Sequence, residues 1–367
     1  MIAAGLAGYA VLLLTAGVPA LARASWTGRA PQLAIFAWLA LAGSAVASVV
    51  LSGLALTVPT AQVSGGLGAL LRACDDALRA RYAHPGGAVL AGAGVVLAAV
   101  LAGRVVWCAT AALAVNARTS RRHRRGLQLT GHADARLGAV VVDHLEPAAY
   151  CLPGAGRPVV VTTAALHALD ETQLAAVLAH ERAHQAGRHH LLVTLGAVPA
   201  AAFPWVPAFR TVRDEVARLA ELAADDAAAT RSPRLAVAEA LLTLGAPPAG
   251  AAVLGAGGSS AAARVRRLIA APNPLSRTAT AGWALAVTAL AASPLVLMLS
   301  PAVVLAAGQC PISQLRPPAD PVGGRASGYV CRGCRGRQCR HRRIQGCTAG
   351  RPGTCSRTAA AADRTAR

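Results

Sequence analysis

Leu178-Ala179-His180-Glu181-Arg182-Ala183-His184 is the stretch on which the reading of this chain turns. It holds the pattern H-E-x-x-H inside an apolar, helix-compatible frame. On one helix, His180 and His184 stand a turn apart on the same face, close enough for both imidazoles to grip a single Zn2+. Glu181 then falls beside the metal. A carboxylate there can take a proton from water activated by the ion, so that hydroxide attacks a peptide carbonyl. With ten His in 367 residues, chance placement gives about 0.004 occurrences of the motif. A surface helix with incidental polar residues is therefore the poorer explanation, and the pattern implies a metallopeptidase.

Two His do not complete a catalytic zinc site, which wants a third protein ligand and an open position. Downstream, Arg218-Leu219-Ala220-Glu221-Leu222-Ala223-Ala224-Asp225 reads as a second helix with Glu221 and Asp225 on one face. Glu221 can supply the third ligand. Asp225 is then placed to hydrogen-bond the free ring N–H of a ligand His and fix its tautomer. Flanking Ala and Leu residues argue against two carboxylates on a solvated face. His189, His190, Asp214 and Glu215 are alternative ligands, and Tyr150, His189 and Arg218 are candidates for stabilising an oxyanion.

The composition is not that of an ordinary soluble enzyme. Hydrophobic residues make up 54% and charged ones 14%, and every basic side chain among the 36 Lys plus Arg is Arg. A net charge of +20 could suggest nucleic acid, but aromatics are only 3% and are not interleaved with the Arg clusters. No direct nucleic acid binding is expected. The Arg clusters flank apolar segments, as membrane topology requires. All nine Cys lie outside the H-E-x-x-H region.

Four apolar runs are long enough to cross a hydrocarbon core: Ile2 to Ala22, Leu33 to Val58, Gly87 to Ala117 and Trp283 to Ala307, the last with Pro294 and Pro301 expected to kink it. The first lacks the basic n-region of a signal peptide and is read as a retained span. Arg104 interrupts the third and is expected to snorkel to the interface. The run Arg118, Arg121, Arg122, Arg124, Arg125 marks the cytoplasmic end of that span. Counting crossings puts the N-terminus outside, the loop with Arg23 and Arg29 inside, residues 118–280 in the cytoplasm and the tail 308–367 outside.

Within 118–280, Ala139 to Val142 and Pro158 to Thr162 look like strands, separated by Pro153-Gly154 turn chemistry. By analogy with zinc peptidases, either could be the edge strand that pairs with an extended substrate. Asp170 with Gln173 predicts a capping box for the helix bearing the motif, and Gly187 its stop. Leu191 to Phe209 is apolar but cannot cross the bilayer, because Glu221 would then stand about 30 Å from His180. It is predicted to be a hairpin broken by Pro199, Pro204 and Pro207, either re-entrant at the membrane or buried in the domain. Ser64 to His84 suggests an amphipathic helix. A helix starts at Ser232-Pro233 and ends near Gly245, and Ser260 is predicted to cap another that carries Arg264, Arg266 and Arg267, arginines that flank the fourth span on its cytoplasmic side. The tail holds six Cys among twelve Arg, which suits disulfides, a metal knuckle or a disordered extension.

The order of spans, Tyr150-Cys151-Leu152-Pro153-Gly154, Val159 to Thr162, Ala176 to His184 and Glu221 to Asp225 resemble the BlaR/MecR-type membrane antirepressor metallopeptidases. HtpX-type and CAAX prenyl endopeptidases share the scheme more distantly. The resemblance implies zinc ligands His180, His184 and Glu221, with Glu181 as general base. It also implies a winged-helix transcriptional repressor as the cytoplasmic protein substrate. The large penicillin-sensing domain of the best-known members has no counterpart in the tail. The expected fold is a mainly α membrane protein, with four transmembrane helices in the lipid bilayer and a zincin-like α+β metallopeptidase domain between spans three and four. Membrane-protein quality control is the alternative task for such a peptidase, and a receptor with structural zinc the non-catalytic one.

Overall fold

The structure is a computed structural model that describes residues 2–56, 85–152, 158–245 and 256–308. The helix expected over Ser64 to His84, the Pro153-Gly154 turn and the Cys-rich tail lie outside the described residues. The described chain is mostly helical, and four of its helices are long and apolar enough to cross a membrane.

Helix α1 (Ile2–Arg23) carries one wider π turn at Leu13–Gly17 and is followed by α2 (Pro31–Ala55). Helix α3 (Pro85–Thr130) runs for 46 residues, about 69 Å at 1.5 Å per residue and more than twice a hydrocarbon core. The apolar run ends at Ala117, but the helix continues to Thr130. Nothing between Ala117 and Thr130 stops a helix, since the segment has no Pro and its single Gly126 is tolerated. The arginines from Arg118 to Arg125 therefore sit on the same helix as the apolar run. Where α2 and α3 cross, Gly53 and Gly94 face each other. A Cβ on Gly53 would meet the Gly94 carbonyl at 2.7 Å, so only two glycines allow this close approach.

Four short strands follow: β1 (Gly131–Asp134), β2 (Ala139–Val142), β3 (Ala149–Cys151) and β4 (Val159–Thr162). Their spatial order is β1-β2-β4-β3, with β2 and β4 parallel and the outer pairs antiparallel. The two Val-rich runs expected to offer an edge are thus the two central strands. Their continuous apolar character is that of strands with neighbours on both sides and a core beneath them, and Val160 and Val161 have no exposure. The edges are β1 and β3.

Helix α4 (Thr163–Ala168) leads to α5 (Glu171–Ala186). Asp170 and Gln173 form the full capping box, worth about 1 kcal/mol. Gly187 ends the helix, but the left-handed residue that turns the chain is Arg188, at φ 49°.

Helix α6 (His189–Ala202) and α7 (Pro207–Ala228) make the hairpin. Pro199 lies inside α6 without ending it, Pro204 falls in the turn and Pro207 opens α7. The hairpin packs among the apolar helices: Phe203, Phe209, Val212 and Val216 share one buried cluster with Val18, Ile35, Trp38 and Leu41. Arg104 reaches the turn of this hairpin. Its guanidinium donates to the Ala202 carbonyl and lies over the Trp205 ring, 5.4 Å from the centroid. The pairing satisfies a carbonyl freed at the end of α6 and gives the charge a partner within apolar surroundings.

Helices α8 (Arg234–Gly245), α9 (Ala256–Ile269) and α10 (Arg277–Gly308) complete the described chain. Helix α9 starts at Ala256, so Ser260 lies within it and is not its cap. Helix α10 begins before Trp283 and runs through Pro294 and Pro301 as one element.

Gly196 sets the spacing of the hairpin, since a Cβ there would meet the Val216 Cβ at 3.0 Å and its Cγ1 at 3.1 Å. Gly196→Val is expected to cost about 1–3 kcal/mol by overpacking. Thermal unfolding in detergent should show the loss, and an unchanged midpoint would contradict the packing described.

Candidate metal centre

The helical spacing in α5 places His180 and His184 on one face, and α7 runs past that face with Glu221 and Asp225 one turn apart. The structure brings His180, His184 and Glu221 together, with one ligand atom from each within 4.8 Å of the others. The two Nε2 atoms are 3.1 Å apart. His180 Nε2 lies 3.6 Å from Glu221 Oε2, and His184 Nε2 lies 3.5 Å from Oε1. Atoms bound tetrahedrally to one ion at 2.0–2.1 Å stand about 3.3 Å from each other. The observed separations bracket that value, so the donor set fits a small cation with two nitrogens and a carboxylate.

Each imidazole meets a partner on its other nitrogen. His180 Nδ1 lies 3.1 Å from Asp225 Oδ1, off the line of an ideal hydrogen bond. His184 Nδ1 lies 3.0 Å from His189 Nδ1. With His184 Nε2 free to bind a cation, its Nδ1–H donates to His189. His189 is thus a neighbour of His184, not a member of the cluster.

The remaining alternatives are drawn elsewhere. Asp214 pairs with Arg213 at 2.8 Å, and Glu215 with Arg218 at 2.7 Å, and neither carboxylate belongs to the cluster. Arg218 does not line the cleft beside the cluster, whereas Tyr150, His189 and His190 do.

That cleft has a volume of about 690 Å³. Its walls come from β3 (Tyr150, Cys151), α5 (His180, Glu181, His184), α6 (His189, Val193, Ala197) and α3 (Ala112, Asn116, Ser120). Asn116 donates to the Thr194 hydroxyl at 2.7 Å and ties α3 to α6. The edge strand β3 therefore borders the cleft, and the last apolar turns of α3 form another wall.

Sequence reasoning took Arg264 for a membrane flank and missed its place in the site. Its guanidinium donates to both carboxylate oxygens of Asp225, Nε at 2.8 Å and an Nη at 2.7 Å, and its other Nη lies 2.9 Å from Glu221 Oε2. The signal was indirect. An Asp flanked by Ala and Leu is bound for burial, and a carboxylate with no exposure requires a cation.

The charges follow from these contacts. Burial opposes protonation of His180, but the nearby carboxylates of Asp225 and Glu221 outweigh it and raise its pKa to about 9. Burial, then the charge on His180, pushes His184 down to about 4. Burial pushes Glu181 above the usual carboxylate range. Despite burial, Glu221 is held low by the adjoining His180 ring and the Arg264 charge, and Asp225 by its hydrogen bonds to Arg264 and the neighbouring His180. Burial and then the Glu181 carboxylate push the Cys151 thiol up to about 12, so it stays protonated and offers no thiolate. Once His180 gives up its proton, ionised Glu181, Glu221 and Asp225 set against the Arg264 charge leave the group two negative charges in excess, the complement of a divalent cation.

At neutral pH His180 holds a proton that a metal must displace, while His184 does not. Binding of Zn2+ at pH 7 is therefore expected to release about one proton, with affinity falling as pH drops below about 9. Calorimetric titration in buffers of different ionisation enthalpy measures this, and binding without proton release would contradict the assignment.

Comparison with known proteins adds one finding. No curated protein matches the chain, and no solved structure does. The model of peptidase family M48 matches residues 116–231, from the last turns of α3 through the sheet to the residues just past α7. The segment that assembles the His-His-Glu cluster is thus the segment similar to family M48, whose peptidases are generally metal-dependent.

Proposed function

We propose that this protein is an integral-membrane zinc-dependent endopeptidase. The observation that carries the reading is the convergence of His180, His184 and Glu221 within 4.8 Å, in a cleft that Glu181 also lines. These three residues are the metal ligands. Two imidazoles, a carboxylate and no thiolate form a donor set for Zn2+, which when bound supplies Lewis acidity to the scissile carbonyl and to a water molecule.

The chain's own groups do the rest. Glu181 is the catalytic base: its raised pKa lets it take a proton from water and hand it to the leaving amine. Asp225 orients His180 through Nδ1, and His189 orients His184 in the same way. Among the described residues β3 pairs with β4 alone, so a substrate segment can pair with its other edge in extended form at the cleft.

The peptidase unit spans residues 118–280, preceded by three transmembrane helices within 1–117 and followed by a fourth at 281–307. By the arginine pattern the unit faces the cytoplasm and the tail lies outside. The BlaR/MecR-type resemblance supplies the substrate class, a winged-helix repressor whose cleavage relieves repression. A second reading has its own support. The α3 wall of the cleft, Ala112 and Asn116, ends the apolar run, so a segment next to the bilayer could also reach the site, as a quality-control peptidase requires.

Glu181→Gln is expected to retain zinc and to lose at least about a hundredfold in cleavage rate. Co-expression of wild type or variant with a repressor encoded nearby, followed by mass spectrometry of repressor fragments, reads this out. Identical fragment patterns would overturn the proteolytic mechanism. An intact repressor together with accumulation of damaged membrane proteins in the variant would favour the second reading.

A further inference from the structure

Arg264 and Arg267 lie one turn apart on α9, beyond the segment that resembles family M48. Each makes a forked contact with one of two adjacent carboxylates on α7. Arg264 takes Asp225 and reaches Glu221. Arg267 takes Asp226, with both Nη atoms at 2.7 Å. The Arg267 guanidinium also donates to the Gly28 carbonyl, Nε at 3.1 Å and Nη at 2.8 Å. Gly28 belongs to the short loop between α1 and α2.

The same loop is held from its other side. Arg29 donates to the carbonyls of Asn273 and Pro274, in the connection from α9 to α10, at 3.0 and 3.3 Å. Trp26 stacks on Trp283 with centroids 4.5 Å apart. Arg234 donates at 2.9 Å to each of the Arg267 and Leu268 carbonyls, closing the end of α9. Polar contacts therefore run without interruption from the α1–α2 loop through α9 to Glu221. A planar guanidinium fork fixes direction as well as distance, so a chain of forks transmits position better than point charges do.

We propose that α9 is a positioning strap for the metal centre. Arg264 holds Glu221 and Asp225 where a cation needs them, and Arg267 ties that hold to the loop between the first two apolar helices. The inference rests on the zinc reading of the site. It gives the loop a defined route to the active centre: a shift of α1 against α2 moves Gly28, and with it α9 and the third ligand.

Zinc affinity of purified full-length protein, measured by competition with a chromophoric chelator, tests this without reference to activity. Arg264→Gln is expected to weaken binding by about 10- to 100-fold, and Arg264→Lys to recover part of that loss. Arg267→Gln and Asp226→Asn touch no ligand, and each is expected to weaken binding by several-fold, on the order of five. Combining Arg264→Gln with Arg267→Gln should cost less than the product of the single effects, because both act through one helix. Circular dichroism and detergent gel filtration of the metal-free variants identify any that fail to fold, and Asp226→Asn breaks the same link without altering α9. Tight wild-type binding with wild-type affinity in folded Arg267→Gln and Asp226→Asn would overturn the strap alone. Absence of zinc binding to the wild type would overturn the metal reading and the strap with it.

Discussion

A carboxylate with no solvent exposure sits at the centre of this protein. Asp225 is fully buried on α7, where an unpaired charge would be costly and would discharge by taking a proton. Arg264 prevents that with two hydrogen bonds, and the His180 ring contributes a third contact. Removing one partner from such a buried pair costs about 3–5 kcal/mol. Because one side chain of each group comes from α5, α7 or α9, keeping Asp225 ionised fixes the relative placement of all three helices. His180 Nε2 and the Glu221 carboxylate are carried along with them.

The surrounding packing serves the same end. Helix α7 reaches the motif helix by way of the α6–α7 hairpin, which packs within the apolar bundle. Arg104 secures the turn at Ala202, and Gly196 lets α6 lie against Val216. Helix α3 links the two regions physically. Its apolar part contacts the hairpin, and its later turns wall the cleft at Asn116 and Ser120. Apolar bundle and site therefore share one helix, so a change in the bundle has a short path to the cleft.

What the sequence discloses here depends on whether a feature is local. His180, Glu181 and His184 are legible because one helix turn is enough to bring them together, and the Asp170–Gln173 cap for the same reason. Glu221 and Asp225 could be paired with them because they repeat that spacing within apolar surroundings. The identity of the edge strand was not legible. Strand order is decided by which segments pair, and the short Ala149–Cys151 run has no pattern that marks it as the strand beside the cleft. The length of α3 was obscured because a change from apolar residues to arginine looks like a boundary, although nothing in it opposes helix. Arg264 was hidden because its partners lie 39 residues away and its neighbours Arg266 and Arg267 suggest a membrane flank.

The central claim is that one divalent cation is held by two imidazoles and a carboxylate, without sulfur. X-ray absorption spectroscopy of the full-length protein loaded with a single equivalent of zinc tests it most directly. The expected result is a first shell of nitrogen and oxygen alone at about 2.0–2.1 Å, with the multiple scattering of two imidazoles. A sulfur shell at about 2.3 Å would place the metal among cysteines and contradict it.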